Sequence, residues 1–218
     1  MRILELYSGT KAISKSFASH DWETLTIDNN PNLKPDICID MLDFDISILP
    51  KEWHHPDVIW ASPPCTTFSV CTIARHWHNG KCNSSRGFTG LALVMKAIEI
   101  IRQLRPKFYF IENPRGMLRN QWFMLDFPRH SVTYCQYGEK YQKPTDIWTN
   151  ANFQAKRCKA GARCHEYQPR NYKAKIGFPV QGLGCQGLSG AEERGKIPLK
   201  LCEEVYQSCI REPIQRRL

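Results

Sequence analysis

No stretch of this 218-residue chain approaches the roughly 18 uninterrupted apolar residues needed to cross a bilayer. A secretory h-region is also missing, because Met1 leads straight into a strand-like apolar segment. Internal repeats and low-complexity tracts are absent, which excludes solenoid and fibrous architectures. These absences predict a soluble, cytoplasmic protein without a membrane partner. With 42% hydrophobic and 23% charged residues, the chain can bury one substantial core.

Two things are present in excess. Ten cysteines would suggest a disulfide scaffold in a short secreted chain. Here the chain is too long for that class, and Cys38 and Cys135 sit inside apolar runs, so reduced thiols are expected. The formal charge of +9 points to a polyanionic partner, since basic side chains gain affinity by releasing counterions from phosphates.

Short runs rich in β-branched or aromatic residues occur at Ile3 to Tyr7, Thr24 to Asp28, Ile37 to Asp40, Val58 to Ala61 and Phe108 to Glu112. Helix-like segments lie between them, the clearest running from about Gly90 to Arg105 with Leu91, Val94, Ala97, Ile98, Ile101 and Leu104 on one face. The alternation predicts an α/β fold with a mostly parallel sheet flanked by helices. Val132 to Cys135 and Asp146 to Thr149 have no long helix between them and are expected to pair at the sheet edge, giving a mixed sheet. Residues 1–149 then form a catalytic core, 150–190 a small irregular insert rich in Cys, Lys and Arg, and 191–218 a helical return after Pro198.

In a doubly wound sheet, ligands bind beyond the carboxyl ends of the strands, so the strand-terminating residues are where a site should lie. The first run ends in Tyr7-Ser8-Gly9-Thr10, a small-residue turn that lets backbone approach a ligand, as a tight structural turn also would. Asp28 ends the second and can accept hydrogen bonds from a ribose diol or serve as a helix cap. Asp40-Met41 ends the third, offering an acceptor for an adenine amino group and an apolar surface for its ring. The fourth ends in Ser62-Pro63-Pro64-Cys65, where two fixed φ angles hold a thiol in one position. A buried, inert cysteine is the alternative to a nucleophile there.

The fifth run ends in Glu112-Asn113-Pro114, a carboxyl beside a second rigid turn at the same edge. A thiol and a carboxyl together suit attack on a heteroaromatic ring. C5 of cytosine is too weakly nucleophilic to accept a methyl group until a thiolate adds at C6. A carboxyl that binds N3 and the exocyclic amine supports that addition.

These motifs, taken in order, resemble the cytosine-C5 DNA methyltransferase family, and most closely its short bacteriophage versions. Leu4 to Thr10 is similar to the first cofactor motif, with Lys11 where glycine is common, and Ser62 to Cys65 and Glu112 to Pro114 resemble the nucleophile and Glu-Asn-Val motifs. The resemblance implies a Rossmann-like methyltransferase fold, S-adenosylmethionine as cofactor and DNA as partner. It implies Cys65 and Glu112 as catalytic residues, and Tyr7, Ser8, Gly9, Asp28, Asp40, Met41 and Pro63 as the cofactor site. If the origin is a phage, the compartment is the host cytoplasm.

Tyr137-Gly138 and Gln142 to Trp148 resemble a later motif that usually carries two arginines, one on the cytosine carbonyl; Pro144 and Asp146 stand in those places here. Lys143 is the candidate substitute. Arg194 to Pro198 is similar to the last motif, which completes the cofactor pocket. The insert replaces a large target-recognition domain, and within it Cys158, Cys164 and His165, with Cys185 as fourth, are candidate zinc ligands. Thr66 to Thr89 is expected to be a mobile loop whose Arg75, Trp77 and Arg86 meet the DNA. Arg115, Arg157 and Arg163 are further candidate DNA contacts. Other readings of the same residues are an RNA cytosine-C5 methyltransferase, a catalytically silent nucleic-acid-binding protein and an enzyme acting on free cytosine nucleotides.

Overall fold

In a computed structural model the protein is described over residues 1–159, 164–165 and 191–211. Its apolar runs become strands β1 (Arg2–Leu6), β2 (Glu23–Asp28), β3 (Ile37–Cys38) and β4 (Val58–Ala61). A two-residue hairpin, β5 (Trp77–His78) and β6 (Lys81–Cys82), stands apart from the main sheet. Strands β7 (Phe108–Pro114), β8 (Arg129–Thr133) and β9 (Pro144–Thr149) complete a seven-stranded sheet of order β3-β2-β1-β4-β7-β9-β8. The first five strands of that order are parallel, and β9 pairs antiparallel with both β7 and β8. This is the mixed sheet that the pattern predicts, with β8 at the edge.

Both faces of the sheet are buried, so the central strands carry continuous apolar runs. On one face Leu4, Leu6, Ile59 and Ile111 pack with Val94, Ile98 and Ile101 of helix α3 (Ser85–Leu104). The one-turn helix α2 (Ile73–His76) precedes α3. On the other face Ile3, Val58, Trp60 and Phe110 pack with α1 (Ala12–Ala18) and with Leu201 and Val205 of α5 (Leu199–Ile210). A short helix α4 (Ala191–Gly195) leads into α5. Among the described residues no helix is long and apolar enough to span a membrane.

Three boundaries differ from the sequence pattern for physical reasons. Helix α3 starts before Gly90, at a Ser84 cap whose hydroxyl accepts from Gly87 N at 3.0 Å. Gly87 and Gly90 are contact points inside it: a Cβ on Gly90 would lie 2.4 Å from Thr67 Oγ1, and one on Gly87 2.4 Å from Cys82 Sγ. Strand β8 ends at Thr133, before Cys135, because Tyr134–Tyr137 winds into a 3-10 turn closed by Gly138 at φ +97°. Residues after Asn150 remain attached to the core, since Ala151 and Phe153 are buried in the same cluster as Val132.

The stretch Thr66 to Thr89 is likewise structured, with α2, the β5–β6 hairpin and the first turn of α3. Trp77, expected at the DNA, is only 6% exposed and its indole N–H donates to Thr67 O at 2.7 Å. The expectation of reduced thiols also needs correcting. Eight described cysteines are free, but Cys71, on the exposed part of this stretch and outside any apolar strand, is disulfide-bonded.

Candidate active site

Strands β4 and β7 are parallel neighbours with Ala61 opposite Ile111; β4 ends there, while β7 continues through Glu112, Asn113 and Pro114 paired with β9. That register brings Ser62–Cys65 against Glu112–Pro114. Asn113 Nδ2 donates to Pro63 O at 3.0 Å, locking the Pro-Pro turn to the end of β7; the expected second turn at Glu112–Pro114 is instead strand, because these residues pair with β9. Beyond the thiol, Cys65 O accepts from the N–H groups of Phe68 and Ser69, both at 3.0 Å. The chain then passes so close to Gly116 that a Cβ there would be 2.0 Å from Phe68 O. Only glycine fits that crossing.

Glu112 is buried, and burial pushes its carboxyl above the usual range, partly offset by the nearby Lys143 ammonium. Tyr134 donates its hydroxyl to Glu112 Oε1 at 3.2 Å, and Ser62, itself held by Trp60 Nε1 at 2.7 Å, also bonds to the carboxyl. Together these contacts fix the orientation of the carboxyl. Burial likewise raises Cys65, and Lys143 again draws it back. Cys65 thus lies in a buried setting that favours its thiol, beside a cation that favours its ionised form.

Lys143 is thus brought to both catalytic candidates, and it is not on the surface: it is 5% exposed. Its ammonium sits 4.4 Å from the Tyr134 ring centre and donates to Arg194 O at 2.7 Å. Its φ of +26°, just before Pro144, lies in a region that L residues with side chains rarely occupy. Such backbone strain, on the order of 1–3 kcal/mol, persists where surrounding packing imposes it and clusters at functional sites.

At the ends of β1, β2 and β3 a cavity of about 310 Å³ is lined by Tyr7, Asp28, Asp40, Met41, Ser62 and Pro64, with Thr89 and Leu93 of α3 closing it. Asp28 Oδ2 accepts from Gly9 N and Oδ1 from Asn30 N, both at 2.9 Å, so the carboxylate is oriented while lone pairs remain for a diol. Asp40 caps Leu42 N at 2.9 Å. Pro63, expected in this lining, is buried behind it with its carbonyl on Asn113, and its neighbours Ser62 and Pro64 take its place. Ser8 is buried with its hydroxyl unpartnered among the described residues, next to Gly9 at φ +48°. The acidic ends and the apolar Met41 fit an adenosine-bearing cofactor, while Ser8 and Gly9, expected in this lining, lie just outside it on the turn after β1.

Arg75 and Arg86 line a second cavity of about 320 Å³ that shares Pro64, Thr89 and Leu93 with the first. Arg115 and Arg157 are exposed, and Arg163 lies outside the described residues. Of the candidate zinc ligands, Cys158, Cys164 and His165 do converge, and Cys185 lies outside the described residues. The fourth group that meets them is Cys135, at the end of β8, and all four ligand atoms lie within 4.8 Å of one another. Tyr134, Ser62 and Cys135 were not legible as a set, because each acts across strands far apart in sequence.

Residues 1–122 match the family model described as C-5 cytosine-specific DNA methylase. A curated relative, the "Probable DNA (cytosine-5)-methyltransferase" of Frog virus 3 (isolate Goorha), is 34% identical over 223 residues, covering 96% of this chain and all of that protein. Among solved structures, the Entamoeba histolytica methyltransferase EhMeth superposes with a TM-score of 0.51 at 14% identity, over 79% of this chain and 59% of that one. The fold is therefore that of the Rossmann-like methyltransferases, with the cavity at the ends of β1 to β3 on one side and the Cys65 and Glu112 segments beside it. The chain belongs to the C-5 cytosine-specific DNA methylase family, and through it to the S-adenosylmethionine-dependent cytosine-5 methyltransferases.

Proposed function

We propose that this chain methylates C5 of a flipped-out cytosine in DNA through a covalent Cys65 adduct, with Glu112 and Lys143 as its other catalytic groups. The observation that carries this assignment is the Asn113–Pro63 bond, which fixes the Cys65 turn against the Glu112 strand beside the cavity at the strand ends. S-adenosylmethionine, held by Tyr7, Ser8, Gly9, Asp28, Asp40 and Met41, supplies the electrophilic methyl group. Cys65 Sγ adds to C6 of the base, and Glu112 holds N3 and the exocyclic amine as electron density moves to C5. Lys143 stabilises the thiolate and is the candidate contact for the O2 carbonyl. After methyl transfer, loss of the C5 proton and elimination of Cys65 give 5-methylcytosine.

Residues 1–149 are read as the catalytic core, 150–190 as a reduced target-recognition region and 191–218 as the segment that completes the core. The burial of Leu201, Cys202 and Val205 beneath β1 supports the last part. DNA contacts are assigned to Arg75, Arg86, Arg115, Arg157 and Arg163, and the cofactor set includes one structural zinc ion.

The test is duplex DNA carrying 5-fluorocytosine, on which elimination is blocked because fluorine occupies the C5 position. Wild-type protein with S-adenosylmethionine should give a denaturation-resistant adduct, and Cys65→Ser should give none while binding cofactor within twofold of wild type. An RNA substrate run in parallel separates the two nucleic acids. Turnover by Cys65→Ser within tenfold of wild type would remove Cys65 from this role.

A further inference from the structure

The Cys-rich start of the insert ends against the catalytic core. Cys158 N donates to Thr133 Oγ1 at 2.7 Å, Thr133 N donates to Lys156 O at 3.1 Å, and Lys156 N donates to the Tyr137 hydroxyl at 3.0 Å. These bonds lay residues 156–158 along the end of β8 and bring Cys158 to Cys135. Cys164 Sγ is 3.7 Å from Cys135 Sγ and 3.4 Å from His165 Nδ1.

Those separations discriminate between chemistries. A disulfide needs sulfurs about 2.05 Å apart, well inside the observed spacing. A tetrahedral zinc ion with Zn–S near 2.3 Å and Zn–N near 2.05 Å places its ligand atoms about 3.8 Å apart for S···S and about 3.6 Å for S···N. The observed 3.7 and 3.4 Å agree with the second. Around the cluster Gln142 Nε2 donates to Cys158 Sγ at 2.9 Å and Gln136 Nε2 to Cys164 Sγ at 3.3 Å, contacts that suit thiolate ligands carrying negative charge. His165 Nε2 is buried and has no partner among the described residues.

We propose that Cys135, Cys158, Cys164 and His165 hold one zinc ion in a closed Cys3His site that staples the start of the insert to the end of β8. This rests on the zinc assigned above and changes its fourth ligand from the insert's own Cys185 to a residue of the core. A site made only from the insert would fold that segment alone. One that includes Cys135 attaches it beside Tyr134, whose hydroxyl holds Glu112. With four protein ligands no position stays open for substrate, so the role is structural.

The experiment uses the full chain purified without chelator. Elemental analysis should find about one zinc per chain, and zinc K-edge absorption of the wild-type protein should fit three sulfurs and one nitrogen. Cys135→Ser and Cys158→Ser should each lower retained zinc at least tenfold, whereas Cys82→Ser should retain it. Chelator treatment should speed tryptic cleavage at Lys156, Arg157 and Lys159 at least tenfold. If Cys135→Ser proves insoluble, the wild-type absorption spectrum still decides. Wild-type protein with less than 0.2 zinc per chain, a shell of two sulfurs, or full zinc retention by Cys135→Ser overturns the proposal. Methylation assayed on the same preparations separates the two readings: zinc-free active enzyme sinks the metal site alone, and zinc-loaded protein inert on DNA sinks the substrate assignment alone.

Discussion

Arg119 grips Asp146 with two nitrogens, Nε on Oδ2 at 2.8 Å and Nη2 on Oδ1, while the Ser131 hydroxyl donates to the same Oδ1 at 2.6 Å. Asp146 stands where the resemblance places an arginine. Along β9, Thr145 and Ile147 share the Glu112 face, and Asp146 and Trp148 face the opposite side. The pair is therefore a structural clamp joining β8, β9 and the turn after β7, on the face of the sheet opposite Glu112.

Because the Asp146 side chain is only 1% exposed, removing its cation leaves a buried charge unmatched. Arg119→Ala should lower unfolding free energy by roughly 3–5 kcal/mol. Asp146→Arg, which restores the usual motif residue, should destabilise comparably because it sets two guanidinium groups together. Urea unfolding measures both. An Asp146→Arg protein as stable as wild type and more active would mean that this strand can present an arginine to the base after all.

Lys143 gives a prediction about thiol reactivity. Burial raises Cys65 and the ammonium opposes that rise, so Lys143→Met should move the ionisation of Cys65 further upward. The rate of alkylation by iodoacetamide, followed against pH at Cys65 by mass spectrometry, should have its midpoint shifted to higher pH in the variant. Lys143→Arg should restore much of the midpoint, although the Arg194 carbonyl contact is built for an ammonium. An unmoved midpoint in Lys143→Met would place the charge too far from the thiol to matter.

Much of this site was legible because its residues terminate strands. Apolar runs with a fixed end locate Asp28, Asp40, Cys65 and Glu112 at one sheet edge from sequence alone, and the parallel order follows from strand and helix alternation. What the pattern cannot carry is contact across strands. Tyr134 reaches Glu112 only because β9 lies between β7 and β8, and Cys135 meets Cys158 only because residues 156–158 run back along β8. Trp77 is illegible for a related reason: its hairpin has too few residues to show periodicity, and it is buried in the core cluster beside Phe68, 5.9 Å away between ring centres.

Glu5 sets a pH dependence of stability. Its side chain, 2% exposed on β1, accepts Ser14 N at 2.9 Å, but burial dominates and pushes its pKa up to about 7 from an ordinary 4.5. Below pH 4.5 it is protonated in both folded and unfolded chains and contributes no slope. Between pH 4.5 and 7 the folded chain binds more protons than the unfolded one, so stability falls as pH rises, by about 3 kcal/mol in all. Glu5→Gln should remove that fall. The urea midpoint of the variant relative to wild type should therefore rise from pH 5 to pH 7.5. A constant difference would show that Glu5 ionises freely in the folded protein.

The last prediction concerns target choice and follows from the length of the insert. About 40 residues, several of them engaged with β8, present fewer side chains to base edges than a full recognition domain does. Each good bidentate contact discriminates by about 1–3 kcal/mol, so a target of roughly two to four bases is expected. Affinity should come mainly from phosphate contacts, for which Arg75, Arg86, Arg115, Lys156, Arg157 and Lys159 are exposed; Arg163, Arg170, Lys173 and Lys175 lie outside the described residues. Binding should then weaken steeply with salt and vary little among duplex sequences, because counterion release is blind to base identity. Methylation of a random-sequence library at low and moderate salt measures both quantities at once. Uniform loss of product across sequences as salt rises, with a short common motif, is the expected result. A strict requirement for six or more base pairs would mean that the Thr66 to Thr89 segment or a second protein chain reads bases in addition to the insert.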